Sequence, residues 1–92
     1  MQNTFGIAAY RSRQQVLLLE NALRREGVNA SVITTPREVA LGCGLSVRFA
    51  MDDLEKVQSA VRRLKPASLI GIYRVDTGSG QTRLTPMGKY RS

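Results

Sequence analysis

The chain has 92 residues, a formal charge of +7 from 14 Lys+Arg against 7 Asp+Glu, no His, no Trp and one cysteine, Cys43. That length allows one domain with one modest core. The missing His excludes His-based acid/base chemistry, Ser-His and Cys-His nucleophile pairs and most zinc sites, and a lone cysteine excludes an internal disulfide or a single-chain iron–sulfur cluster, so a carrier, binding module or subunit is expected, not a self-sufficient enzyme.

Thr4 to Tyr10 is short and apolar and reads as a strand, with Phe5, Ile7 and Ala9 on one side and Gly6 and Ala8 on the other. Ser12 followed by Gln15 is a capping-box pattern opening a helix from Arg13 to about Glu26. Val16, Leu19 and Leu23 share one face of it, Arg24 and Arg25 suit its last turn, and Gly27 suits the position just beyond. Val28 to Thr35 is β-branched and reads as a second strand. Pro36 and Gly42–Cys43–Gly44 punctuate a long connection from Thr35 to Gly44, and long connections are often functional. Leu45 to Ala50 alternates, directing Leu45, Val47 and Phe49 inward and Ser46 and Arg48 outward. Asp52 is a candidate N-cap for a second helix reaching about Leu64, with Leu54, Val57, Val61 and Leu64 on one stripe and Pro66 ending it. Ser68 to Val75 reads as a fourth strand.

The order βαββαβ predicts an α+β, ferredoxin-like domain over residues 1–75, with a four-stranded antiparallel sheet and two helices on one face. Residues 76–92 are rich in Gly, Ser, Thr, Pro and basic residues and are expected to form a flexible basic tail. The other sheet face would carry Gly6, Ala8, Ser46, Arg48, Gly71 and Tyr73. A second copy, giving a homodimer, the tail, another partner or plain solvent are the candidates for covering it.

The chemistry of interest centres on Cys43. A thiol serves as nucleophile or sulfur carrier only as thiolate. Gly42 and Gly44 let a bulky partner approach closely, and positive φ at either would let loop amides converge on an anion. Arg37 and Arg48 add positive potential, and Glu38 could donate a proton or position an Arg. The competing reading is a small buried hydrophobe beside ordinary turn residues. No phosphate-binding loop, dinucleotide fingerprint or metal-ligand cluster occurs, so no bound cofactor is expected from the motifs. Aromatic residues are only 5% and Phe49 points to the core, so nucleic acid is not the expected ligand.

Met1 to Tyr10 has no signal-peptide pattern, and the longest apolar runs, such as Val16 to Leu19, fall far short of the ~18 residues of a membrane span. A free cysteine suits a reducing compartment, so a cytoplasmic location is expected and a membrane partner is not.

The most distinctive stretch is Thr35–Pro36–Arg37–Glu38 followed by Cys43–Gly44–Leu45–Ser46–Val47–Arg48–Phe49. With Ser12, Glu20–Asn21–Ala22–Leu23, Gly27–Val28 and Gly71–Ile72–Tyr73, it resembles the small bacterial selenium/sulfur carrier proteins from about Phe5 to Tyr73. The tail is outside the resemblance. The resemblance implies a ferredoxin-like domain whose single cysteine, Cys43, carries sulfur or selenium covalently between a donor and an acceptor enzyme. Gly44, Arg37 and Glu38 match the family pattern. The alternative from another class is a binding or regulatory module whose basic surface meets an acidic protein or RNA, with Cys43 structural or redox-sensing.

Overall fold

The computed structural model describes residues 3–36, 44–64, 68–78 and 80–87. Its elements are β1 (Asn3–Tyr10), α1 (Arg13–Arg25), β2 (Ser31–Thr34), β3 (Leu45–Phe49), a 3-10 turn at Met51–Asp53, α2 (Leu54–Arg63), β4 (Leu69–Gly78) and β5 (Gln81–Pro86). The strands form one antiparallel sheet in the order β2-β3-β1-β4-β5. The expected βαββαβ order is therefore present, but the sheet has five strands where the sequence predicted four. Residues 76–78 extend β4, and 81–86, expected as tail, pair with β4 across a turn in which Gly80 has φ +75°.

Val16, Leu19 and Leu23 of α1 and Val57, Ala60 and Val61 of α2 are buried together with Ala8, Tyr10, Val47, Phe49 and Ile72 of the sheet, so both helices pack on one face. Leu64, expected on the α2 stripe, is 38% exposed as the C-cap; Ala60 takes the buried position. The Asp52 cap is also corrected: the chain first makes the 3-10 turn, and Asp53 occupies the α2 N-cap without a side-chain cap bond. Gly27 has φ +82° just beyond α1, and Val28 N–H returns to the Leu23 carbonyl at 2.9 Å, the closure a glycine permits there.

The phase of β1 is opposite to the expected one. Gly6 and Ala8 pair with Phe49 and Val47, whose side chains face the helices, while Phe5, Ile7 and Ala9 share the second face with Val75, Tyr73, Gly71, Arg48 and Ser46. The reason lies at Gly6: a Cβ built there would stand 2.3 Å from Phe49 Cε2. The large ring occupies the space over the small residue, so the helix face of β1 must be its small side. As the central strand, β1 buries Ile7 and Ala9 completely on the other face as well.

Ser12 caps α1, its hydroxyl accepting from Gln15 N–H at 3.4 Å. The expected reciprocal bond from Gln15 to Ser12 is replaced. Gln15 Oε1 accepts from Ser68 N–H at 3.0 Å and from the Ser68 hydroxyl, whose oxygen accepts from Ser12 N–H at 3.3 Å. Arg11 N–H donates to the Ser68 carbonyl at 3.0 Å, so the start of α1 is tied to the start of β4. Ser68→Ala removes two of these bonds and is expected to lower stability by about 1–2 kcal/mol, read as a lower urea midpoint with an unchanged slope.

Candidate functional site: the connection between β2 and β3

The connection from Thr35 to Gly44 leaves and rejoins the sheet at one place. Thr35 N–H donates to the Gly44 carbonyl at 3.0 Å. The Thr35 and Ser46 hydroxyls lie 2.7 Å apart, and both residues are buried. Two short hydroxyl side chains thus satisfy each other where the strands separate, as buried polar groups require. A Cβ at Gly44 would stand 3.2 Å from Thr35 Oγ1 and 3.6 Å from the Tyr10 carbonyl oxygen. A side chain at Gly44 would therefore press on the Thr35 hydroxyl, which would have to give by a few tenths of an ångström. The positive φ that either glycine of the pair could have supplied is not at Gly44: among the described residues Gly27 and Gly80 have it.

The same end of the sheet holds the start of α1. Tyr10 at the end of β1 pairs with Leu45, and Ser12, two residues on, is the helix N-cap. The first turn of α1 contains no acidic residue, and Arg11 and Arg13 flank the cap on the exposed surface. The positive end of the helix dipole and two cations thus stand by the stems of the connection without a carboxylate in that turn to offset them.

Of the residues expected to act, Gly44 and Arg48 are described. Cys43, Gly42, Arg37 and Glu38 lie outside the described residues. Arg48 is not beside Gly44: four residues of extended strand separate them, about 13 Å at the usual rise. Its guanidinium carbon instead lies 4.1 Å from the centre of the Phe5 ring. The sequence reading missed Thr35 and Ser46. The only available signal was a small hydroxyl residue on each side of the glycine-rich stretch, and the pairing becomes visible only with the β2–β3 register, in which Thr34 stands across from Leu45.

A family model described as "Putative Se/S carrier protein-like" matches residues 5–70. The chain belongs to this family. Its match to the Se/S carrier family spans β1 through the start of β4, including the whole Thr35–Gly44 connection; β5 lies beyond it. No curated protein and no solved structure matches the chain significantly. No helix among the described residues of this Se/S carrier family member is long and apolar enough to cross a membrane.

Proposed function

We propose that the protein is a cysteine-based carrier, not an enzyme, that receives one sulfur or selenium atom on Cys43 from a donor protein and passes it to an acceptor protein in a reducing cytoplasm. The observation that carries this reading is the family match across the Cys43 segment, whose described stems rise at the positive, acid-free start of α1.

In the receiving step the Cys43 thiolate attacks the outer sulfur of a donor persulfide. The new S–S bond forms as the donor S–S bond breaks, and the donor cysteine leaves as thiolate. In the second step an acceptor thiolate attacks the outer atom on Cys43, and Cys43 leaves as thiolate. Neither step needs an external oxidant or reductant. Selenium follows the same course from a selenopersulfide. Positive potential favours both the attacking thiolate and the terminal anionic atom of the loaded form. Arg37 and the amides of Gly42 and Gly44 are the proposed local donors of that potential. Glu38 is the proposed partner that positions Arg37.

The test is intact-mass spectrometry under anaerobic conditions, with the protein or its Cys43→Ala variant incubated with a cysteine desulfurase plus cysteine, or plus selenocysteine. The expected result is a gain of one sulfur or one selenium atom that thiol reductant reverses and the variant lacks. No adduct from either donor substrate, or an equal adduct on the variant, overturns the reading.

A further inference from the structure

At the other end of the sheet, a cleft of about 370 Å³ opens between the start of β1, the start of β2 and the end of β3. Thr4, Phe5, Asn29, Ser31 and Arg48 line it, and among the described residues no acidic one does. We propose that this cleft binds the phosphate or carboxylate group of a small ligand, with Arg48 as the principal donor.

The argument starts from how Arg48 is held. Its guanidinium carbon lies over the Phe5 ring, 4.1 Å from the centroid, a cation–π contact that holds the group at the cleft. The ion pairs among the described residues belong to Arg24, Arg63 and Arg74; Arg48 has neither an ion pair nor a hydrogen bond among them. An exposed arginine ordinarily loses several rotors on meeting an anion, and the ring contact reduces that cost beforehand. Ser31 is the direct cross-strand partner of Arg48, and Asn29 lies just before β2 in the same cleft, so neutral donors flank the charged one. Two close N–H groups in a plane suit an oxyanion with two oxygens to present. The volume falls in the range of small-ligand sites.

The described lining residues come from β1, β2, β3 and the residues beside them and include neither Thr35 nor Gly44, and the proposal uses no property of Cys43. The full chain, isotopically labelled, is titrated with inorganic phosphate and separately with acetate at constant ionic strength, following Arg48 Nε and the Ser31 and Asn29 amides by NMR. Saturable shifts of these three groups are expected, unchanged in Cys43→Ser. Saturation by phosphate alone, acetate alone or both supports the site and identifies the ligand group. Arg48→Gln should weaken binding about ten-fold or more, the usual loss with one charged hydrogen bond. Phe5→Leu, which keeps the charge and removes the platform, should also weaken it. The proposal is overturned if neither anion gives saturable shifts, if Arg48→Gln or Phe5→Leu binds like the parent, or if exposed Arg25 and Arg62 shift as much as Arg48.

Discussion

Gly6→Ala is expected to destabilise the protein by about 2–3 kcal/mol, lowering Tm by about 10–20 °C for a domain of this size. In a strand interior the same exchange ordinarily stabilises, because alanine restricts the unfolded chain more than glycine does. Here the added carbon would stand 2.3 and 2.4 Å from Phe49 Cε2 and Cζ. Phe49 is 1% exposed and packed among the α1 and α2 core residues, so the ring has no free volume to retreat into. Either the ring leaves its rotamer or the strands part. Phe49→Leu alone should also destabilise, but in the double variant the two losses should partly cancel, because the shorter side chain vacates the space the methyl needs. Thermal melts of the four proteins decide it. A Gly6→Ala protein as stable as the parent would mean that the ring does not rest on Gly6.

The second large effect is expected at the stems of the connection. Thr35→Val keeps the shape and the main-chain bond to Gly44 but leaves the Ser46 hydroxyl without its partner in a fully buried position. That should cost about 1–3 kcal/mol. Ser46→Ala should cost a similar amount by stranding the Thr35 hydroxyl. The double variant should be less destabilised than the sum, because both polar groups are gone. Strictly additive losses in urea denaturation would show that the two hydroxyls do not depend on each other. If the stems also position Cys43, either single variant should slow sulfur loading and leave its final yield intact.

Much of this architecture is legible in the chain. Ser12, the Val16, Leu19 and Leu23 stripe and Gly27 define α1 because each acts locally, within a turn or two. The Leu45, Val47 and Phe49 alternation defines β3 for the same reason. What local pattern could not give was the phase of β1. Both of its faces are buried, so alternation does not distinguish the helix side, and placing the larger residues inward chose the wrong one. The fifth strand was hidden differently. Gln81–Pro86 is polar and ends in proline, and its pairing comes from the extension of β4 and the turn at Gly80. In the candidate site, the Pro-Arg-Glu and Cys-Gly elements carried the family resemblance, which the match over residues 5–70 bears out. The Thr35–Ser46 pair had no such signal, since two hydroxyls eleven positions apart mean nothing until the strands are in register.

The place of β1 in the sheet also bears on how the chain assembles. It is synthesised first, yet its neighbours are β3 and β4, and the Thr4 hydroxyl finds its partner on Asp76, 72 positions later. The β4–β5 hairpin and the β2–β3 pair can close over short spans, whereas seating β1 closes a span of about 40 residues to β3 and most of the chain to β4, and loses the corresponding entropy before any contact compensates. On the ribosome, then, an apolar strand emerges long before both of its partners exist. Completion of the sheet waits for the C-terminal half, which must close on both sides of a strand made before it.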